Sequence, residues 1–384
     1  MTPDSELTGR IRAAIESSPD GRITFARYME LALYEPGLGY YSRPADRPTD
    51  AGDFLTAPET HAIFGWTAAR RIEEMWVELG RPSPFRLIEY GAGSGTLALS
   101  VLDGMNRHGA AELLGAVQYE PVESNPNRVA DLRRRFAEAG LAAKLVDPVE
   151  SVPVTGVILA NEFLDALPVH RVVVQGGQLR ELFVVWRESG EEAGRGRFAE
   201  LAAEPSTPEL AARLGDESVR LVEGQVAEIC LGIGEWLRGA AARLSRGYIL
   251  AIDYGYDAAE LYGPRRLAGT LLGYRGHQVE VDPFAAPGET DLTAHVDFTA
   301  VERLAARHGF RTVSSTTQSE FLVAAGLEEE LRALQASPDL TLADYTRARS
   351  GIVRMLDPRF MGKFRVLIIG LGAAWPAPPA SAAS

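Results

Sequence analysis

The stretch that decides the fold is Phe85-Arg86-Leu87-Ile88-Glu89-Tyr90-Gly91-Ala92-Gly93-Ser94-Gly95-Thr96-Leu97-Ala98-Leu99. Its short apolar run predicts a buried strand, its alternating glycines predict a turn, and the apolar spacing after them predicts a helix. This order is typical of a Rossmann-like sheet, which presents a nucleotide at the carboxyl end of its first strand. Glycine permits positive φ and, without a Cβ, lets a ligand lie against the backbone.

The spacing of the glycines separates two classes of ligand. A dinucleotide fingerprint reads G-x-G-x-x-G, and its third glycine packs the helix on the strand. Here Thr96 occupies that third position, and the pattern reads E-x-G-x-G-x-G. This form resembles the first motif of class I S-adenosylmethionine (SAM) methyltransferases. A purely structural turn is the alternative, and Thr96 disfavours an NAD-dependent oxidoreductase.

The composition predicts a soluble globular protein, with 46% hydrophobic and 24% charged residues in 384. A formal charge of −13 disfavours nonspecific binding to nucleic acid or an anionic membrane. The single Cys230 excludes an intramolecular disulfide and a cysteine zinc cluster, and the histidines show no ligand spacing, so no metal is expected. No secretory signal, transit segment or membrane-spanning run is visible, and we expect a cytoplasmic protein.

Two acidic residues compete for the ribose of an adenosine ligand. A carboxylate at the end of the second strand can accept both ribose hydroxyls, and the predicted strand 117–124 offers Glu120 and Glu123. Pro121 lies between them and cannot donate to a sheet ladder, so it belongs near a strand end. We favour Glu123. A further strand is expected at 142–146, and Asp147 after it is a candidate for the adenine amino group or an ordinary turn residue.

The next predicted strand, 155–160, ends at Asn161 and Glu162. Ligands of open α/β sheets bind outside the carboxyl ends of the strands, so both side chains are expected at the transfer site. A polar side chain there can accept an N–H from an amine or guanidinium. The alternative is an ordinary turn that opens a helix.

The remaining segments predict an elaborated fold. Helices are expected over 5–35, and two alternating stretches around Gly176-Gly177 predict a β-hairpin. The loop 42–60 is either a lid or a surface connection, and the polar segment 269–298 is a candidate functional loop. A mobile excursion or irregular cap is expected over 187–216, a helix over 218–244 and a disordered tail over Ala373–Ser384.

These segments predict an α/β protein with a Rossmann-like sheet, an N-terminal helical lid and inserted α+β cap segments. The expected organisation is a lid region at 1–80, a cofactor-binding core at 81–260 that includes a hairpin and cap at about 169–216, an inserted substrate-side segment at 261–310, closing core elements at 311–372 and a tail at 373–384.

Several separated blocks together resemble one family. They are A-L-Y-x-P-x-x-G-Y-Y ending at Tyr41, G-D-F-x-T-A-P-E at 52–59, E-x-G-x-G-x-G-T-L at 89–97, N-E-F-L-D-A-L-P at 161–168, Y-R-G-H at 274–277 and D-L-T-A-H-V-D-F at 291–298. The blocks look like those of the MidA-like class I methyltransferases, whose mitochondrial members assist assembly of respiratory complex I. The resemblance covers roughly residues 20–370.

The resemblance implies a SAM-dependent protein arginine N-methyltransferase. Its expected cofactor-binding residues are Glu89, Gly91, Ala92, Gly93, Gly95, Thr96, Glu123, Asp147 and Asn161. Its expected substrate and lid residues are Tyr40, Gly52, Asp53, Phe54, Thr56, Pro58, Glu59, Tyr274, Arg275 and His277. Because a protonated guanidinium is a poor nucleophile, we expect Glu162 to hold it and Asn161 to orient it, while Asp165 or His295 assists proton removal.

Two other functions remain open from the sequence. One is a SAM enzyme acting on a small amine or phenol, and the other is a non-catalytic assembly factor with a SAM-type fold. The expected partner is a protein or peptide with an arginine acceptor, with no nucleic acid or membrane. The oligomeric state stays open, a homodimer included.

Overall fold

The computed structural model describes residues 3–43, 57–148, 152–188, 196–276, 278–336 and 341–372. The helices are α1 (Pro3–Ser17), α2 (Phe25–Tyr34), α3 (Ala57–Thr60), α4 (Ile63–Glu78), α5 (Thr96–Arg107), α6 (Ala111–Ala116), α7 (Pro126–Glu138), α8 (Glu209–Asp216), α9 (Gly232–Arg243), α10 (Ala258–Leu261), α11 (Phe298–Arg307), α12 (Gln318–Ala324), α13 (Leu327–Gln335) and α14 (Leu342–Leu356). The strands are β1 (Ile23–Thr24), β2 (Phe85–Tyr90), β3 (Val117–Val122), β4 (Val154–Asn161), β5 (His170–Gln175), β6 (Gln178–Glu188), β7 (Gly196–Ala203), β8 (Val226–Ile229), β9 (Leu244–Asp253), β10 (Gly255–Tyr256), β11 (Leu272–Arg275), β12 (Gln278–Glu280), β13 (Asp291–Thr293), β14 (Val296–Asp297), β15 (Arg311–Thr317) and β16 (Arg365–Leu371).

The chain forms two compact units, each assembled from separate stretches of sequence. The first unit comprises Met1–Phe54, Leu164–Glu235 and Gly255–Val301. The second unit comprises Leu55–Phe163, Trp236–Tyr254 and Glu302–Ser384. No helix in the described part of the chain is both long and apolar enough to cross a membrane.

The second unit is built on a sheet of six described strands in the order β15-β16-β9-β4-β2-β3. The strands β3, β2, β4 and β9 run parallel, and β16 and β15 close the sheet antiparallel. The central strands are apolar over most of their length because helices of an α/β fold cover both faces of such a sheet. Thus β4 buries Val157, Ile158, Leu159 and Ala160. The predicted Rossmann-like sheet is confirmed.

The expected strand at 142–146 is wrong. The residues Ala142–Lys144 form one turn of 3₁₀ helix, and among the described residues only an isolated bridge between Tyr119 and Leu145 extends the sheet past β3. Alanine and lysine are strong helix formers and poor strand formers, which accounts for the local turn.

The first unit contains a sheet of five described strands with β1, β6, β5 and β8 in order and β7 paired with β6. The predicted hairpin is confirmed: β5 and β6 pair antiparallel around Gly176 and Gly177, which have φ of 59° and 72°. Two positive φ values in a two-residue loop match the twist of the strands. The main core of this unit packs α1 and α2 with buried residues of β6, β7 and β13.

Two expectations for the first unit are wrong. The described part of 187–216 is regular, since β7 pairs with β6 from Glu181 to Glu188 and α8 follows. The single helix expected at 218–244 is instead β8 and α9, because 226–229 pairs with β5 in an antiparallel ladder. Long-range pairing overrides the helical pattern here.

The two sequence blocks near 274 and 291 meet in a small sheet of the first unit. Strand β11 pairs antiparallel with both β12 and β13, and Tyr274 lies opposite Asp291. The described part of the candidate functional loop is therefore ordered by β pairing.

Candidate active site

The three glycines after β2 have different surroundings. Their φ values are 67° at Gly91, 53° at Gly93 and 76° at Gly95. A Cβ on Gly95 would lie 2.9 Å from Leu132 Cγ, whereas a Cβ on Gly93 would meet no atom nearer than 3.9 Å. Gly95 therefore lets α7 pack beneath the loop, whereas a Cβ on Gly93 would make only ordinary van der Waals contacts, the nearest with Arg128 Nη1. The backbone at Gly93 is thus not closed off by close packing, which suits a ligand that lies on it.

The carboxylate of Glu123 is fixed against the glycine loop. Its Oε2 accepts the N–H of Gly93 at 2.9 Å, and its Oε1 accepts the N–H of Asn125 at 2.8 Å. Each carboxylate oxygen has a second lone pair and can accept a further hydroxyl hydrogen. Glu123 is half-buried and so remains reachable from the loop side.

The competing residue, Glu120, lies inside the protein. It is fully buried and forms ion pairs with Arg86 at 3.0 Å and with Arg243. Two guanidinium groups balance its charge, as a buried carboxylate requires. This environment favours a structural role for Glu120 and leaves Glu123 as the candidate for the ribose.

Glu89 is a buried carboxyl at the end of β2. Tyr119 donates a hydrogen bond of 2.6 Å to its Oε2, and the Tyr119 ring stacks on Phe136 at 5.0 Å. Burial raises the pKa of Glu89 to about 8; the negative charge of Glu123 acts in the same direction and the Tyr119 hydrogen bond opposes it. Glu89 is thus largely protonated at neutral pH.

This raised pKa predicts a pH-dependent stability. The Glu89 carboxyl ionises less readily in the folded protein than its ordinary value of 4.5 allows, so ionisation favours the unfolded chain. The cost is absent below the ordinary pKa, grows as pH rises and is complete above about 8. We therefore expect the free energy of unfolding of Glu89→Gln to exceed that of the wild type by a margin that grows with pH. Between pH 6 and pH 8 this margin should increase by about 2 kcal/mol.

Urea unfolding of both proteins at the two pH values measures this gap. The exposed Glu112, on α6, provides the control, because Glu112→Gln removes a carboxylate that pairs with Arg81 at the surface. A gap for Glu89→Gln that stays constant with pH would contradict the raised pKa.

Asn161 and Glu162 form a polar pair at the end of β4. Glu162 has φ of 49°, and its N–H donates to Ile252 O at 2.8 Å, which fixes a conformation rare for a non-glycine residue. Its Oε1 accepts hydrogen bonds from Asn161 Nδ2 at 3.2 Å and from the N–H of Ala57 at 3.3 Å. These contacts orient the carboxylate through one of its oxygens.

An aromatic cluster beside the loop was missed at the sequence level. Tyr90, Phe163 and Trp236 have ring centroids 5.5 to 6.0 Å apart, and a Cβ on Gly91 would lie 3.3 Å from Phe163 Cδ2. Phe163 belongs to the N-E-F-L-D block, and this was the one sequence feature that pointed to the cluster. Trp236 is distant in sequence, and no motif pointed to it.

The other candidates in the second unit occupy varied positions. Ala92 is buried, Thr96 begins α5, and Asp147 is exposed and pairs with Arg133 at 2.6 Å. In α3, Pro58 is buried and Glu59 is exposed. Gly52, Asp53, Phe54 and Thr56 lie outside the described residues, as do His277 and the tail Ala373–Ser384.

Asp165 and His295 belong to the first unit, in neighbouring backbone. The carbonyl of Asp165 accepts the N–H of Ala294 at 3.1 Å, and the N–H of His295 donates to Thr270 Oγ1 at 3.2 Å. Asp165 is buried and His295 is half-buried. Both roles in proton removal stay predictions.

The substrate-side candidates of the first unit are mostly aromatic. Tyr40 packs edge-on against Tyr41, whose hydroxyl donates to Asp291 at 2.6 Å. Burial raises the pKa of Tyr274, assisted by the charges of Asp291 and Asp165. Arg275 is exposed and pairs at 3.2 Å with Glu280. Searched over the described residues, the structure shows no group of three or more His, Cys, Asp and Glu side chains that could hold a metal ion.

The sheet order, the glycine loop and the carboxylate after β3 define the architecture of a class I SAM-dependent methyltransferase. Residues 67–316 match the family described as "Putative S-adenosyl-L-methionine-dependent methyltransferase". The chain belongs to this family. It is an enzyme, a SAM-dependent methyltransferase.

A crystal structure from Burkholderia thailandensis with bound S-adenosyl-homocysteine is similar to this chain. The two share 32% sequence identity and a TM-score of 0.85, over 97% of this chain and 94% of the other. The mitochondrial protein arginine methyltransferase NDUFAF7 of Danio rerio is 30% identical over 83% of this chain and 76% of its own length. The Homo sapiens protein of the same name is 28% identical over 82% of this chain and 72% of its own length.

These comparisons confirm the resemblance and correct one expectation. The expected cytoplasmic location is contradicted, because these curated relatives are named as mitochondrial proteins. The lack of a visible transit segment is weak evidence about location.

Proposed function

We propose that this chain transfers a methyl group from SAM to an arginine side chain of a protein or peptide. The observation that carries the proposal is the Glu162 carboxylate, which is oriented by Asn161 and Ala57 at the carboxyl end of β4. An anion at this edge suits a cationic acceptor. The relatives named protein arginine methyltransferases support the same acceptor.

The residues of the second unit fit SAM. Gly93 offers its backbone to the ligand, because no atom lies closer than 3.9 Å to the position that a Cβ would take. Glu123 presents oriented acceptors for the ribose hydroxyls, and Asn161 lies at the adjoining strand end. SAM, when bound, supplies a methyl group activated by its sulfonium for in-line transfer to a nucleophile.

Glu162 holds the acceptor in this proposal. Its Oε1 accepts N–H groups of Asn161 and Ala57, and these bonds orient the carboxylate toward which a guanidinium N–H would donate. Holding one nitrogen restricts its rotation and aligns its lone pair, which is how orientation lowers the barrier. The carboxylate also offsets the additional positive charge that the guanidinium carries after the methyl group bonds to its nitrogen and before that nitrogen loses its proton to a base.

The first experiment is titration of the purified protein with S-adenosylhomocysteine, for the wild type and Glu123→Ala. We expect binding that weakens at least tenfold in the variant, since both ribose hydrogen bonds lose their acceptor. The control is Glu112→Gln, which should bind as the wild type does. Absence of wild-type binding would contradict the cofactor assignment and favour a non-catalytic assembly factor.

The acceptor is then identified with SAM that carries an isotope-labelled methyl group. We expect label in arginine of peptides or lysate proteins after acid hydrolysis, and its loss in Glu162→Gln. Label in small amines or phenols but not in protein would establish a small-molecule methyltransferase instead.

A further inference from the structure

Three consecutive arginines on α7 behave differently. Arg133 pairs with Asp147, and Arg134 pairs with Asp131 and Glu138, all on the exposed side of the helix. Arg135 is half-buried and points to the glycine loop. No carboxylate pairs with it among the residues the structure describes. Its guanidinium group instead donates hydrogen bonds to neutral oxygen atoms.

A single nitrogen of Arg135 gathers three acceptors of the loop. Nη1 lies 2.9 Å from the carbonyl oxygen of Ser94, 2.6 Å from Ser94 Oγ and 2.8 Å from Thr96 Oγ1, and its two N–H groups are shared among these three acceptors. Ser94 lies between Gly93 and Gly95, so these bonds hold the one non-glycine residue at the tip of the turn. Charged donors form stronger hydrogen bonds than neutral ones.

The loop needs such a restraint. Glycines with positive φ on both sides of Ser94 have the greatest backbone freedom of any residue, and that freedom must be lost for a defined ligand surface. Leu132 and Phe136 of the same helix pack beneath Gly95 and fix the base of the loop. Arg135 reaches the tip and bonds to Ser94.

Helix electrostatics does not explain this arginine. Thr96 is the first residue of α5, and the N-terminus of a helix carries partial positive charge, where a cation is unfavourable. The hydrogen bonds to Ser94 and Thr96 offset this cost, so the position of Arg135 is explained by the loop that it bonds.

We propose that Arg135 is a positioning residue that pre-organises the glycine loop for binding of SAM. The inference rests on the proposed function for the identity of the ligand. The ordering of the loop itself is independent of that identity. Both parts can be measured separately.

The test compares Arg135→Met with Arg134→Met, a matched loss of charge one residue away. We expect S-adenosylhomocysteine to bind at least tenfold more weakly to Arg135→Met and within twofold of wild type to Arg134→Met. In Arg135→Lys we expect affinity within about fivefold of wild type, because one ammonium can serve three acceptors. At saturating SAM, kcat of Arg135→Met should stay within threefold while KM for SAM rises.

Amide hydrogen exchange of residues 91–96 in the ligand-free proteins isolates the loop. We expect at least tenfold faster exchange in Arg135→Met and no change in Arg134→Met, with equal urea midpoints for the two variants. Equal exchange and equal affinity in the two variants would overturn the inference. Faster exchange without any wild-type ligand binding would overturn the SAM assignment and support the loop-ordering role.

Discussion

Gly95→Ala is expected to lower the free energy of unfolding by about 3 kcal/mol. The residue has φ of 76°, and left-handed backbone costs an alanine about 1–2 kcal/mol. Its new Cβ would lie 2.9 Å from Leu132 Cγ and 3.1 Å from Phe136 Cε2, so α7 must move. Overpacking of this kind costs about 1–3 kcal/mol. Urea unfolding measures the change.

Gly93→Ala is the matched control for this prediction. Its φ of 53° carries a similar backbone cost, but its Cβ would make only ordinary contacts, the nearest at 3.9 Å with Arg128 Nη1. We expect about 1 kcal/mol of destabilisation and at least tenfold weaker S-adenosylhomocysteine binding, because the methyl group occupies the ligand's place. If Gly93→Ala proved the more destabilising of the two, the distinct roles of these glycines would be wrong.

The sequence predicts this loop, but it does not predict which glycine faces the ligand and which one packs against α7. Alternating glycines between a strand and a helix predict a ligand-binding turn in any chain. Which glycine meets the ligand depends on Leu132 and Phe136, which are about 40 residues away and reach Gly95 only because α7 packs there. Packing across such a separation leaves no periodic signal in the sequence.

The local sequence likewise cannot decide whether Glu120 or Glu123 is the candidate for the ribose. Both residues flank Pro121 at the end of a predicted strand, and local pattern cannot separate them. The structure pairs Glu120 with Arg86 and Arg243, and the second arginine is 123 positions away. Arg135 is a parallel case, because a run of three arginines normally predicts a solvated helix face.

The first unit was the part least accessible from sequence. Its hairpin was predictable, because Gly-Gly between alternating stretches determines the turn locally. The strand β8 was not, since 226–229 becomes a strand only through its ladder with β5. Local propensity is a weak guide wherever long-range pairing decides the outcome.

Glu162→Gln is expected to lower kcat by about 10²–10⁴-fold, the usual range for removing a group that manages a proton or charge in the transition state. Glutamine is nearly isosteric, and its carbonyl can still accept the N–H groups of Asn161 and Ala57. The strained backbone at φ of 49° need not change. The substitution therefore removes the charge and leaves the local hydrogen bonds in place.

Steady-state methylation and S-adenosylhomocysteine titration together make this prediction decisive. Affinity for S-adenosylhomocysteine should stay within about threefold of wild type, because its sulfur is neutral and Glu162 holds the acceptor. Glu112→Gln, at an exposed pair of the same unit, should keep wild-type kcat. Full turnover by Glu162→Gln would show that the acceptor is held by another group. Loss of cofactor affinity in step with turnover would make Glu162 a cofactor-site residue instead.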